Sequence, residues 1–118
     1  MGRPYKYYLR PGYGSENLLL EFVLDSSDTD FDNDLFTILK GIDPKIETVE
    51  DLWVNDEVVL HISSLSGDFQ LSKDSWNFVF IVAENNQPCI KLIDEMLNRS
   101  TWFKKEEADF EKYKNMNS

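Results

Sequence analysis

The chain has 118 residues, enough for one domain with one hydrophobic core, and 42% hydrophobic with 29% charged residues is typical of a globular protein. The net charge of −10 disfavours nucleic-acid binding through phosphate contacts, and no apolar run approaches the roughly 20 residues of a membrane-spanning helix. With no apolar signal segment and with Cys89 as the one cysteine, we expect a cytoplasmic protein. We predict a single domain over residues 1–118, with residues 115–118 frayed.

The first third of the chain predicts two strands and a short helix. Residues 5–10 are typical of a strand, and their basic side chains place it at a sheet edge, where it is a candidate for pairing with a strand of a partner. Residues 17–24 alternate in the manner of a second strand. The acidic first turn and apolar stripe of residues 32–40 predict a helix that ends at Gly41.

Closely spaced strands follow in the middle of the chain. Residues 48–54 and 57–63 predict a hairpin, and residues 68–71 predict a shorter strand that turns into residues 75–84. Both faces of 75–84 are apolar, which predicts a central strand covered on both sides, with Trp76 in the core.

Two helices are expected after the central strand. Pro88 lies near the start of the first, over about residues 88–98, and Ser100 or Thr101 can cap a last helix that carries Phe103, Phe110 and Tyr113. The short turns between strands imply an antiparallel arrangement. We therefore predict an α+β fold, an antiparallel sheet of about five to six strands with two to three helices packed mainly on one face.

The negative charge is concentrated in one third of the chain. Residues 21–57 carry twelve acidic and two basic side chains. Such a field steers association with a basic protein surface, although acidity alone also keeps a protein soluble. Trp53 lies within this segment, and Trp is enriched at interface hot spots. We predict that a protein partner contacts the following residues: Asp28, Asp30, Asp32, Asp34, Glu47, Glu50, Asp51, Trp53, Asp56 and Glu57.

Other candidate chemistry is weaker in the sequence. Residues 28–34 are similar to the start of a calcium loop, but Asn33 replaces the usual Gly and Leu39 the bidentate Glu. His61 lacks a metal-ligand spacing and is expected to be a half-exposed strand residue. Cys89 is expected to be a buried structural thiol, and an enzyme using Cys89 or His61 is the alternative. We predict no catalytic residue, no metal and no cofactor.

The second half of the chain resembles a known group of proteins. Residues 66–81 combine a short strand, a tight turn and an aromatic strand, and they lead into residues 90–97, 100–105 and 109–113. This layout resembles the small acidic immunity proteins of bacterial toxin–immunity systems, including those of contact-dependent growth inhibition. The resemblance implies a cytoplasmic protein that binds and blocks one cognate toxin domain, often a nuclease with a basic cleft. We therefore predict a non-enzymatic protein, expected to be a monomer, whose partner is the C-terminal domain of a cognate toxin. A regulatory or scaffold module without catalytic activity is the alternative.

Overall fold

The computed structural model describes residues 3–12, 16–25 and 27–107. Seven strands and two helices are formed by these residues. The strands are β1 (Tyr5–Pro11), β2 (Leu18–Val23), β3 (Lys45–Leu52), β4 (Glu57–Ser63), β5 (Phe69–Asp74), β6 (Phe78–Val82) and β7 (Phe103–Glu106), and the helices are α1 (Phe31–Ile38) and α2 (Gln87–Arg99). A 3-10 turn continues α1 over Leu39–Ile42, and a second one, Trp53–Asn55, joins β3 to β4.

The strands form one mixed sheet in the order β3-β4-β5-β6-β2-β1-β7. Every neighbouring pair is antiparallel except β1 and β7, which run parallel. Short turns join β3, β4, β5 and β6. Each turn reverses the direction of the chain, so consecutive strands of this group are antiparallel. The predicted α+β class is confirmed, and the sheet is mostly antiparallel, with seven strands instead of five to six.

Both helices pack on the same face of the sheet, which we call the helical face. The alternate side chains of the strands point to this face and form one core with the apolar sides of α1 and α2. Four aromatic rings meet at its centre, with centroids 5.1 to 6.1 Å apart, and they come from four elements. These rings are Tyr5 in β1, Phe22 in β2, Phe31 in α1 and Phe103 in β7.

The end of the described chain is a strand, so the prediction of a last helix from Ser100 or Thr101 is wrong at Phe103. Phe103 pairs with Tyr5 in the register of β7 and β1 and is buried in the aromatic core. An extended backbone buries this ring next to β1. It also pairs with backbone N–H and C=O groups of β1 that would otherwise lack a strand partner. Phe110 and Tyr113 lie outside the described residues.

The same pairing corrects the predicted position of residues 5–10. This strand is not at an edge, because β1 lies between β2 and β7. Its basic residues do not require a position at an edge. Arg10, for example, is buried on the face opposite the helices and pairs with Glu21 at 2.8 Å. Among the strands of the described residues, β3 and β7 lie at the two edges of the sheet.

The central position of β6 is confirmed, but the strand begins two residues after Trp76. The Asp74 carboxylate accepts hydrogen bonds from the backbone N–H of Trp76 (2.9 Å) and Phe78 (3.0 Å), and Asn77 has a φ of 66°. These features form a tight turn, so β5 extends to Asp74 and the side chain of Trp76 is 77% exposed. The prediction that Trp76 lies in the core is therefore wrong.

Asp34 joins the start of the chain to α1 from a buried position. Its carboxylate accepts two hydrogen bonds from the Arg3 guanidinium, at 2.8 and 3.0 Å, and one from the Tyr5 hydroxyl at 2.7 Å. The Arg3 guanidinium also lies over the Trp102 ring, 3.6 Å from its centroid. The bonds from Arg3 hold the pKa of Asp34 below its usual value despite burial, while burial and the bond to Asp34 raise the pKa of Tyr5 to about 12.

We expect Asp34→Asn to lower the free energy of unfolding at pH 7 by about 1–3 kcal/mol, because Arg3 loses its charged acceptor. The folded-state pKa of Asp34 is lowered, so its contribution is present above 3.8, the ordinary pKa of an Asp carboxyl, and is lost as the pH falls further. The difference between the two proteins in urea unfolding should therefore shrink below pH 3.8. Asp68→Asn, at an exposed carboxylate, is the matched control and should change little. A difference that stays constant with pH contradicts this role of Asp34.

Candidate protein-binding surface

Three connections lie side by side at one end of the sheet. The backbone N–H of Ser75, between β5 and β6, donates to the Asp56 carbonyl in the β3–β4 turn at 3.1 Å. The N–H of Leu24, after β2, donates to the Asn77 carbonyl at 2.9 Å. We call this region the turn end, and it comprises residues 24–25, 27–32, 53–57 and 74–77.

Large apolar side chains are exposed at the turn end. Trp53, Val54 and Trp76 are 76–77% exposed, and the hydrogen bond between Ser75 and Asp56 holds their two turns together. Asp56 and Asn77 both have positive φ, at 51° and 66°, so each turn reverses tightly and carries its tryptophan beyond the paired strands. Exposed tryptophans in neighbouring turns are typical of a surface that buries them against a partner.

Carboxylates surround these apolar side chains. Asp30 and Asp56 are exposed, Glu57 is half-buried opposite Asp74 in the β4–β5 register, and Asp32 is exposed in an ion pair with Lys73. Like charges opposite each other on adjacent strands repel, so a basic group placed between Glu57 and Asp74 is favoured. The turn end therefore combines two apolar anchors with a negative surface.

The loop after β2 holds its own carboxylates in a fixed arrangement. The Asp28 carboxylate, half-buried, accepts the backbone N–H of Asp25 at 3.0 Å. Hydrogen bonds from the hydroxyl and the N–H of Ser27 lower the pKa of Asp25 to about 2. Asp25 thus remains charged well into the acidic range and adds to the negative surface beside α1.

A second group of carboxylates lies along β3. Glu47, Glu50 and Asp51 are exposed, and two of them contact β4. Glu50 lies 3.0 Å from the Nε2 atom of His61, and Glu47 accepts a hydrogen bond of 2.6 Å from the Ser63 hydroxyl. β3 ends directly before Trp53, so this group is continuous along the chain with the turn end.

The predicted partner-binding residues therefore form two groups on the surface, and one predicted residue, Asp34, belongs to neither. Asp34, which we predicted to contact a partner, is only 3% exposed, and its carboxylate is occupied by Arg3 and Tyr5. Its place on the inner side of α1 gives the physical reason, since residues 31, 34 and 35 are the buried ones of that helix. The turn end holds Asp28, Asp30, Asp32, Trp53, Asp56 and Glu57, and β3 holds Glu47, Glu50 and Asp51.

Three residues of the turn end were missed by the sequence reasoning, namely Asp25, Val54 and Trp76. The signal for Trp76 was present, because Asp74 and Asn77 are turn-forming residues on either side of Ser75 and Trp76. The aromatic pattern of the following strand outweighed it. The signal for Asp25 was its spacing from Ser27 and Asp28, which favours a local turn with side-chain hydrogen bonds.

The two candidate catalytic side chains lie on opposite faces of the sheet. His61 is half-exposed on the face opposite the helices, as predicted for a strand residue, and Cys89 is buried under α2 on the helical face. Burial raises the pKa of the Cys89 thiol, in spite of a hydrogen bond with Ser64. The sheet therefore separates the two groups. Among the residues that the structure describes, no cluster of three His, Cys, Asp or Glu side chains is arranged to hold a metal ion.

A polar recess of about 870 Å³ lies at the other end of the sheet. The Asn86 amide nitrogen donates there to the carbonyl of Ser66 at 2.9 Å, and His61 contacts Glu50 and, at 3.4 Å, the Gln70 amide nitrogen. These polar groups are bonded to one another and hold the loops together. Leu65, in the β4–β5 loop at this end, is 79% exposed, but the turn end exposes two tryptophans and Val54 together and is the better candidate for binding.

We expect Trp53→Ala and Trp76→Ala each to change the free energy of unfolding by less than about 0.5 kcal/mol, because both rings are exposed. Phe22→Ala is the matched control, and loss of this buried ring should cost about 3–5 kcal/mol. Urea unfolding followed by circular dichroism measures all three. A cost above about 1 kcal/mol for either tryptophan contradicts its exposed position.

Comparisons of the chain with protein-family models, with curated proteins and with solved structures find no match. In the described part of the chain, neither helix has the length and apolar character needed to span a membrane.

Proposed function

We propose that this protein is an immunity protein, which binds the toxic domain of a cognate toxin in the cytoplasm and blocks its active site. The observation that carries the proposal is the turn end, where Trp53 and Trp76 are exposed among carboxylates. A nuclease domain is the partner that fits best, because its cleft must be basic to hold the phosphates of its substrate.

The turn end supplies both electrostatic attraction and apolar contact area for such binding. The carboxylates of Asp30, Asp56 and Glu57 attract a basic surface over a distance and speed its capture. Trp53 and Trp76 then bury large apolar rings against the partner, and buried tryptophans dominate the affinity of many interfaces. A protein surface seated in this way over the toxin's basic cleft excludes the substrate from it.

The proposal is tested with the protein encoded immediately upstream, through its isolated C-terminal domain. We expect a one-to-one complex with the full chain, relief of toxicity on co-expression, and an association rate that falls with salt. Failure to bind, or a neighbour that is not toxic, refutes the immunity function and favours a regulatory or scaffold module. Tight binding without salt dependence keeps the function and removes the carboxylates from its mechanism.

Reversal of charge at the turn end should slow the capture of the partner. We expect Asp30→Lys combined with Glu57→Lys to lower the association rate at low salt by about tenfold. Asp68→Lys combined with Glu84→Lys is the matched control, because it changes the net charge equally at exposed positions near the other end of the sheet. Stopped-flow measurements distinguish the two. Equal rates for both double variants contradict a steering role of the turn end.

Loss of the exposed rings should act on dissociation instead. We expect Trp53→Ala and Trp76→Ala each to weaken the complex by about 2 kcal/mol, mostly through a faster dissociation rate. Leu65→Ala, at an exposed apolar residue of the β4–β5 loop at the other end of the sheet, is a control for the general loss of surface area. Unchanged dissociation rates for both tryptophan variants show that the partner binds elsewhere.

A further inference from the structure

β3 is a long strand at the acidic edge of the sheet. It has eight residues and pairs with β4 along one side, and no other strand among the described residues lies along its second side. The opposite edge is β7, with four residues. Half of the backbone N–H and C=O groups of an edge strand point away from the sheet, and an extended segment of another protein can pair with them.

The two faces of β3 differ in chemistry. On the helical face, Ile46 and Val49 are 50% and 62% exposed, and they lie opposite Ile62 and Leu60 of β4. On the other face, Glu50 and Glu47 reach His61 and Ser63. Asp51, opposite Val58, also lies on the helical face. A strand added at this edge therefore meets Ile46 and Val49, with Asp51 near the end, on one face and the carboxylates of Glu47 and Glu50 on the other.

We propose that β3 receives a basic, amphipathic strand of the partner protein, which extends the sheet by one strand. The occupant alternates basic and apolar residues, because side chains of a strand alternate between its faces. Its basic side chains pair with Glu47 and Glu50, and its apolar side chains cover Ile46 and Val49. This inference rests on the proposed function and adds the mode of binding to it.

Charge selects this occupant over a second copy of the chain. β3 carries Glu47, Glu50 and Asp51 against Lys45, so two copies of β3 placed side by side bring carboxylates together. Like charges on adjacent strands destabilise the pairing, and acidic side chains on an edge prevent unspecific addition of strands. A basic strand removes that repulsion.

The edge is also continuous with the turn end. The register of β3 and β4 is irregular between Ile46 and Thr48 and regular from Thr48 to Leu52. The backbone hydrogen bonds to a partner strand are expected along this regular part, because an irregularity disrupts the hydrogen bonds of a ladder, and Ile46 and Glu47 contact side chains at the end of that strand. Leu52 precedes Trp53, so a partner strand that follows β3 to its end reaches the exposed ring.

The inference is tested with a synthetic peptide of eight alternating Lys and Val residues, blocked at both ends. It is titrated into the full chain labelled with nitrogen-15. We expect saturable shifts and slower amide exchange in β3, with little change in β7. A peptide with the same side chains and every backbone nitrogen methylated keeps the charge but cannot donate backbone hydrogen bonds. It should bind at least about tenfold more weakly.

Protein variants separate charge from backbone pairing. Glu47→Gln combined with Glu50→Gln should weaken binding of the Lys–Val peptide by about tenfold. Glu16→Gln combined with Glu95→Gln, at exposed positions outside β3 and β4, should leave it unchanged. Equal binding of the methylated peptide, shifts outside β3, or no saturable binding overturns the inference. So does self-association of the chain through β3 without peptide, since it assigns the edge to a second copy. Neutralisation of the toxin is measured separately, so a functional complex without protection of β3 refutes this inference alone.

Discussion

The contact of four aromatic rings on the helical face determines the arrangement of the rest of the molecule. Tyr5, Phe22 and Phe31 come from the first three elements and Phe103 from the last described strand, and aromatic pairs contribute about 0.5–1.5 kcal/mol each beyond their burial. Phe103 brings β7 next to β1, and Phe31 seats α1 over β1 and β2. Among the described strands, β7 therefore lies at one edge of the sheet, and the meander of β3 to β6 extends from β2 to the other edge, which is β3.

This arrangement separates the charges of the protein. At the β7 edge, Lys6 and Lys105 pair with Glu106 and Asp94, whereas β3 and the turn end carry most of the carboxylates of residues 21–57. Asp34 is the buried carboxylate of the acidic segment; it pairs with Arg3 and adds no charge to the surface. An acidic edge that leads into exposed tryptophans presents a partner with backbone, charge and apolar anchors along a single path, which is the basis of both proposals.

Local sequence patterns predicted most of the elements well. The hairpin of β3 and β4, the central position of β6 and helix α2 all follow from alternation, turn residues and helix-start signals. The errors occur where long-range contacts outweigh local preference. Ser100 and Thr101 signal a helix start, but burial of Phe103 against Tyr5 makes the next residues a strand. Trp76 continues the aromatic pattern of β6, but the Asp74 carboxylate closes a turn before it.

The candidate surface shows the same division. The sequence by itself determined the fold class and the acidic character of residues 21–57, because composition and hydrophobic period are local properties of the chain. Only the tertiary structure decided which of those carboxylates are exposed, which strands lie at the edges, and that Trp76 stands in the turn beside that of Trp53. These outcomes depend on strand order, and strand order is set by burial of side chains between residues as far apart as Tyr5 and Phe103.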